Sequence, residues 1–127
     1  LSQALSKTVW LKSGGNLVIE PTEALTVIDV NTAKSVSKKT SEETYLKTNL
    51  EAAEEIAVQL RLRNLSGIII VDFIDMKEEE SRKTLLAALR RAVTADPVKT
   101  VFVDMTSLGL VELTRKKIRR PLHEQVR

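Results

Sequence analysis

The sequence contains no cysteine and only one histidine, His123. Without thiols, the chain cannot form a disulfide bond or a thiolate zinc site. A single imidazole also excludes metal sites built from several histidines and leaves almost nothing for a histidine-based catalytic triad. Any metal bound by this chain is therefore expected to have oxygen ligands.

Aromatic residues and long apolar runs are also scarce. Aromatic side chains make up 3% of the chain, which disfavours a surface that binds nucleic-acid bases by aromatic stacking. No apolar run approaches the roughly 20 residues that span a bilayer, and the amino end lacks the layout of a signal peptide. We therefore expect a soluble, cytoplasmic protein without a membrane segment.

What the chain does have is an ordinary globular composition with unevenly placed charge. Its 127 residues, 43% of them hydrophobic, fit one domain with its own core. The net charge is only +3, but basic residues are clustered, which favours a polyanionic partner, although a solvated basic surface has the same pattern. One cluster lies in a loop and the other near the carboxyl end: Lys34, Lys38 and Lys39, then Arg115, Lys116, Lys117, Arg119, Arg120 and Arg127.

Hydrophobic periodicity predicts an α/β fold with a mixed β-sheet and packed helices. The SGG turn at 13–15 joins strands at 9–12 and 16–20, and a third strand follows at 24–30. Further strands are predicted from Gly67 and at 99–105, with a short strand-like segment at 110–114. Helices are predicted after a capping box at Thr40 and Glu43, and over 77–96. The predicted order is βββαβαβ, with a possible further strand and a basic carboxyl-terminal helix or tail.

The first predicted helix carries an amide within its apolar face. Asn49 falls inside a stripe formed by Leu46, Leu50, Ala53, Ile56, Ala57 and Leu60. Leaving a buried amide unpaired costs roughly 1 to 3 kcal/mol. We therefore expect Asn49 to be hydrogen bonded, either as a structural residue or as a support for a functional site.

Two of the predicted strands end in an aspartate. Asp29 follows LTVI and Asp72 follows IIIV, and Asn31 lies on the same face of its strand as Asp29. Ligands gather at the carboxyl ends of strands in α/β sheets. If the two strands are neighbours, the carboxylates can converge on Mg²⁺, which typically takes one or two protein carboxylates and a substrate phosphate.

The spacing leaves alternatives open. Asp104 ends another strand, so the pattern is compatible with three carboxylates as well as with two. Acids at strand ends also cap helices, and we interpret Asp75, just before KEEE, as an amino-terminal helix cap.

Three stretches closely resemble the catalytic region of the ribonuclease E/G family of bacterial endoribonucleases. They are SGGNLVIEPTEALTVIDVN, TNLEAAEEIAVQLRLRNLSGIIIVDFIDM and TSLGLVELTRKK, in the family's order and with similar spacing. The resemblance implies that residues 1–127 form the family's DNase I-like catalytic subdomain. It also implies that Asp29 and Asp72 hold the catalytic Mg²⁺, for which Mn²⁺ can substitute, and that Asn31 supports this site. It removes Asp104 from the candidate ligands.

The activity implied is metal-assisted hydrolysis of single-stranded RNA in RNA processing and decay, leaving a 5′-phosphate and a 3′-hydroxyl. Phosphates flanking the cleaved bond would then be contacted by nearby cationic side chains. The residues expected in this role are Lys34, Lys38, Lys39, Arg115 and Lys116.

The resemblance also marks what differs. Ala33 stands where the family usually has glycine, and the S1 domain, the 5′-sensor and the zinc link are absent from this chain. Zinc is thus expected only in the full-length family enzyme, and a homo-oligomer is expected for that enzyme, while the pattern leaves the oligomeric state of this chain open. The alternatives are an RNA-binding or oligomerisation fragment without its own catalytic activity, and a scaffold whose acids are only caps.

Overall fold

The strands and helices follow the predicted order. A computed structural model describes residues 6–33, 42–106 and 108–117. Its strands are β1 (Thr8–Trp10), β2 (Asn16–Pro21), β3 (Leu25–Asn31), β4 (Gly67–Asp72), β5 (Thr100–Met105) and β6 (Val111–Arg115), and its helices are α1 (Glu42–Leu62) and α2 (Glu79–Thr94). The expected strand at 110–114 is therefore confirmed as β6. Thr40 and the basic carboxyl-terminal segment lie outside the described residues.

The six strands form one mixed sheet in the order β1-β2-β3-β4-β6-β5. β3 and β4 are parallel neighbours joined through α1, while the other pairings are antiparallel. α2 carries the chain from β4 past β6 to the edge strand β5. This arrangement confirms the predicted α/β class with a mixed sheet.

Strict alternation of side chains along the strands places the core on one face of the sheet. In β3, Ile28 and Val30 are buried while Val27 and Asp29 on the other face are only half-buried. The buried residues of β2, β4 and β6 join them, and both helices contribute to the same cluster, as expected for a two-layer domain. The face opposite the helices is therefore the one that carries Asp29.

The start of α2 differs from its prediction. The helix begins at Glu79 with Glu78 as the amino-terminal flanking residue, so the interpretation of Asp75 as its cap is wrong. The backbone amides of Lys77 and Glu78 already bind the carboxylate of Glu42, at 3.0 and 2.8 Å. Because that carboxylate satisfies these donors, residues 73–78 run as a loop before the helix starts.

Neither of the two described helices is long and apolar enough to cross a bilayer.

Candidate metal centre

Asp29 and Asp72 lie side by side at the carboxyl ends of two parallel strands. They are register partners in the pairing of β3 with β4, and neighbouring strands are about 4.8 Å apart. Both residues follow buried β-branched positions, which hold their strands in a stiff sheet interior. The condition under which the two carboxylates could converge on one cation, that their strands are neighbours, is thus met.

The two carboxylates repel one another. The pKa of Asp29 is raised above its ordinary value of 3.8, first by partial burial and then by the negative charge of Asp72, against a hydrogen bond from the Val30 amide that lowers it. Asp72 is exposed to solvent. A pair of this kind favours a bound cation, because the cation offsets both the repulsion and the lost hydration.

Asn31 is held in place by its register partner on β2. Its amide nitrogen donates to the side-chain oxygen of Asn16 at 3.0 Å. Gly15 permits this packing, because a Cβ at that position would lie 2.5 Å from the Asn31 carbonyl oxygen. The side chain of Asn31 therefore has a defined orientation two residues beyond Asp29, on the same face.

Asn49 ties α1 to the loop that follows Asp72. The residue is fully buried, its amide nitrogen donates to the Ile74 carbonyl at 2.9 Å, and its amide oxygen accepts from the Ile74 N–H at 3.0 Å. Both hydrogen-bonding groups of the amide are thus used by one backbone unit. Ile74 lies two residues after Asp72, so this pair of bonds fixes the path of the chain next to the carboxylate.

Glu42 is a second tie between α1 and the same loop, and sequence reasoning missed it. Its carboxylate accepts from the amides of Lys77 and Glu78, and these bonds lower the pKa of Glu42 below its ordinary 4.5. The only local signal was an acid in the first turn of α1, which is also typical of helices in general. A contact across 35 residues leaves no periodic trace in the sequence.

A third contact from α1 reaches the β1–β2 turn. The carboxylate of Glu51 accepts from the backbone amides of Lys12 and Ser13. Glu42, Asn49 and Glu51 therefore connect one helix to the two loops that border the carboxylate pair. These contacts hold both loops in place against α1 at this end of the sheet.

Asp104 does not lie beside the pair formed by Asp29 and Asp72. Asp104 lies on β5, which β6 separates from β4, and its side chain accepts from the Met105 amide at 2.7 Å. Two strand spacings amount to about 10 Å. Across the described part of the chain, no group of three or more Asp, Glu, His or Cys side chains is placed to hold a metal ion.

The sequence model of the ribonuclease E/G family matches residues 1–118. The chain belongs to the ribonuclease E/G family.

Individual members of the ribonuclease E/G family are similar over almost the whole chain. Ribonuclease G of Escherichia coli K12 is 48% identical over 122 residues, and ribonuclease G of Haemophilus influenzae is 52% identical over 122 residues. Each match covers 96% of this chain and 25% of the relative. Ribonuclease E of Nostoc sp. PCC 7120 is 49% identical over 124 residues, which are 98% of this chain and 18% of that protein. The chain therefore spans about a quarter or less of these relatives.

The residues expected to contact RNA lie in different places. Lys34, Lys38 and Lys39 fall outside the described residues. Lys116 is exposed, but it follows β6 at the opposite end of the sheet from Asp72. With Gly67 and Asp72 at the two ends of β4, this separation is about 16 Å along the strand.

Arg115 is occupied by protein groups. It is 3% exposed, and its guanidinium pairs with Asp96 at 2.7 Å and donates to Asn64 and to the Leu65 carbonyl at 3.1 and 2.9 Å. Although burial opposes it, the hydrogen bond and charge of Arg115 lower the pKa of Asp96. This placement does not support the predicted RNA contact by Arg115. The residue instead stabilises the fold by joining β6 to the segments before β4 and β5.

Proposed function

We propose that this chain is the metal-binding core of an endoribonuclease that hydrolyses single-stranded RNA, with the cation held by Asp29 and Asp72. One observation carries the proposal. In a member of the ribonuclease E/G family, two aspartates are register partners on parallel strands at the end of the sheet where ligands gather.

The donor set fits Mg²⁺. Two adjacent carboxylates match the one or two that Mg²⁺ usually takes from protein, with water and substrate phosphate supplying the other ligands. The exposure of Asp72 leaves room for them. Mn²⁺ accepts the same oxygen ligands and is a useful probe of the site.

The chain's own residues then have distinct tasks. Asp29 and Asp72 hold the cation, and Asn31, whose amide nitrogen is bonded to Asn16, uses its amide oxygen to orient a water or a phosphate. Asn49 and Glu42 keep the loop after Asp72 in place. When bound, Mg²⁺ lowers the pKa of a coordinated water and offsets the charge on the phosphodiester. In-line attack of water on phosphorus leaves a 5′-phosphate and a 3′-hydroxyl.

Lys34, Lys38 and Lys39 complete the proposal as phosphate-binding residues. They follow Asp29 by five to ten positions in sequence, so the strand end that bears Asp29 also leads into them. Cationic side chains at this point would neutralise phosphates on either side of the cleaved bond.

Cleavage of a fluorogenic single-stranded RNA tests this function. We expect activity with Mg²⁺, little with Ca²⁺, and a loss of more than about a hundredfold in Asp29→Asn and Asp72→Asn. Glu23→Gln is the matched control, since this exposed acid lies in the turn before β3, at the opposite end of that strand from Asp29, and makes no proposed metal or RNA contact. Equal activity of both aspartate variants and wild type would exclude the metal assignment. RNA binding without cleavage would support the fragment alternative.

A further inference from the structure

A cleft opens directly beside Asp72. Its volume is about 440 Å³, and it lies between the loop after β4, the first turns of α2, and Thr106, Leu108 and Gly109. This volume falls within the range of roughly 300 to 1,000 Å³ typical of small-molecule sites. Because Asp72 lines the cleft, any group that fills it sits next to Asp72.

The walls of this Asp72 cleft favour a neutral ligand with apolar faces. Ile74 and Met105 are half-buried and contribute apolar surface, with the almost fully buried Leu85 behind them. Asp72 and Asp75 stand exposed at the rim. Two carboxylates at the rim disfavour a second anion, so the cleft is better suited to the uncharged base of a nucleotide than to its phosphate.

Leu108 overhangs the Asp72 cleft with most of its side chain in solvent. It is 83% exposed, yet it belongs to a tightly bonded turn. The Thr106 amide donates to the Leu110 carbonyl at 2.6 Å, the Gly109 amide donates to the Thr106 carbonyl at 3.0 Å, and Gly109 takes a φ of 84° that suits glycine. These backbone hydrogen bonds hold the exposed side chain of Leu108 beside the cleft. It therefore offers a packing surface at little entropic cost.

Arg82 adds hydrogen-bond donors to the same wall. One of its terminal nitrogens donates to the Met76 carbonyl at 2.7 Å, which holds the half-buried side chain in the cleft. A guanidinium has five N–H groups, and those remaining suit the carbonyl and ring-nitrogen acceptors on a base edge. The cleft thus combines apolar walls with polar groups that can fix an orientation.

We infer that the Asp72 cleft binds the nucleobase adjoining the bond that is cut, with Leu108 packed against its face and Arg82 bonded to its edge. The inference rests on the proposed ribonuclease function and extends it, since it makes this cleft the determinant of sequence preference next to the cleaved bond. The contact is aliphatic, because aromatic residues are scarce in this chain and the one that lines the cleft, Phe73, is buried.

Single-stranded RNAs with one abasic residue, moved stepwise past the cleaved bond, test the inference. Removing the base that fills the cleft should lower kcat/KM of the wild-type protein about tenfold, the scale expected for losing one buried apolar contact. Leu108→Ser should lower kcat/KM on intact RNA to a similar extent and respond less than about twofold to the same abasic residue. Leu108→Ala should behave in the same way.

The matched control is Leu62→Ser, at an exposed leucine in the last position of α1, which should keep the full wild-type response. Equal melting temperatures exclude misfolding. If Leu108→Ser keeps the wild-type response at every abasic position, the inference is wrong.

The affinity of the same RNAs, measured by fluorescence anisotropy in EDTA, separates this outcome from failure of the proposed function. If the wild-type protein binds RNA but does not cut it, the proposed function fails. The RNA affinities then test the base site. If Leu108→Ser alone removes the effect of one abasic residue on affinity, the site is supported. If that effect persists in Leu108→Ser, the site is rejected.

Discussion

The carboxylate of Asp29 destabilises the folded chain at neutral pH. Its pKa is raised by burial and by Asp72, so the folded state binds a proton at Asp29 more tightly than the unfolded state does. The resulting destabilisation is present above the folded-state pKa and is relieved as the pH falls through it. Such a residue is more easily explained by ligand binding than by stability.

Asp29→Asn should therefore stabilise the metal-free chain while abolishing metal binding. We expect a small rise in melting temperature at pH 7, kept small because solvent screens this half-buried carboxylate. The gain should shrink at pH 3, where wild-type Asp29 is itself protonated. Thermal melts at both pH values, with Asp75→Asn as control, check this. A lower melting temperature of Asp29→Asn at pH 7 would contradict the repulsion argument.

Replacing Asn49 should have the opposite effect on stability. The backbone groups that are hydrogen bonded to its amide cannot bond to water instead. Asn49→Leu leaves the N–H and C=O of Ile74 unpaired, which should cost about 2 to 4 kcal/mol. Gln59→Leu is the matched control on the same helix, because the partners of buried Gln59 are the side chains of Glu55 and Arg63. It should cost less than about 1 kcal/mol. Urea unfolding measures both, and equal costs would mean that the Ile74 bonds are unimportant.

Asn49→Leu also tests whether the loop matters for the metal. If Asn49 positions the chain after Asp72, Mn²⁺ affinity at a temperature where the variant is folded should fall about tenfold, while Gln59→Leu retains wild-type affinity. Isothermal titration calorimetry distinguishes these outcomes. Unchanged affinity in Asn49→Leu would restrict the residue to a structural role.

At the scale of elements, α1 connects the parallel strands β3 and β4 and also holds in place the two loops next to the carboxylate pair. Its apolar stripe could be predicted from three-and-four spacing, and Ile56, Ala57 and Leu60 are indeed buried. The parallel pairing that brings Asp29 to Asp72 follows from a strand, a helix and a strand in succession. The tertiary partners of Glu42 and Glu51 could not be predicted, because each binds backbone amides more than 30 residues away, and any acid serves for such a bond.

The hydrogen bonds from the amides of Lys77 and Glu78 to Glu42, which join α1 to the loop before α2, should depend on pH. Because the amides of Glu78 and Lys77 lower the pKa of Glu42, its contribution to stability is complete above the ordinary value of 4.5 and is lost as the pH falls through the lower folded-state value. In an NMR pH titration, the amide signals of residues 77 and 78 should shift together with a midpoint below 4.5. Glu43→Gln should leave this titration intact and Glu42→Gln should remove it. A midpoint above 4.5 would refute the contact.

Across the whole molecule, the two ends of the sheet have different tasks. The end that carries Asp29 and Asp72 has repelling carboxylates and a cleft. The other end has the buried Arg115–Asp96 pair, with both side chains 3% exposed or less. The sequence predicted the strand β6 over 110–114, but not that Arg115 at its end would be buried in an ion pair, because its partner Asp96 lies 19 positions earlier in the chain, before β5. Charge clustering alone does not distinguish a buried pair from a basic surface.

This division predicts that stability and metal binding can be changed separately. Asp96→Asn leaves the Arg115 charge buried without its counter-charge, which should cost about 3 to 5 kcal/mol and lower the melting temperature by more than about 10 °C. The double variant Asp96→Leu, Arg115→Met should recover most of the loss, since apolar residues of similar volume replace buried ion pairs well. Below its melting temperature, Asp96→Asn should bind Mn²⁺ as tightly as wild type, because the pair lies about 16 Å from Asp72 along the sheet. Thermal melts and calorimetric titration of the same samples measure the melting temperature and the Mn²⁺ affinity. If Mn²⁺ affinity fell together with the melting temperature, the Arg115–Asp96 pair and the carboxylate pair would be coupled through the sheet.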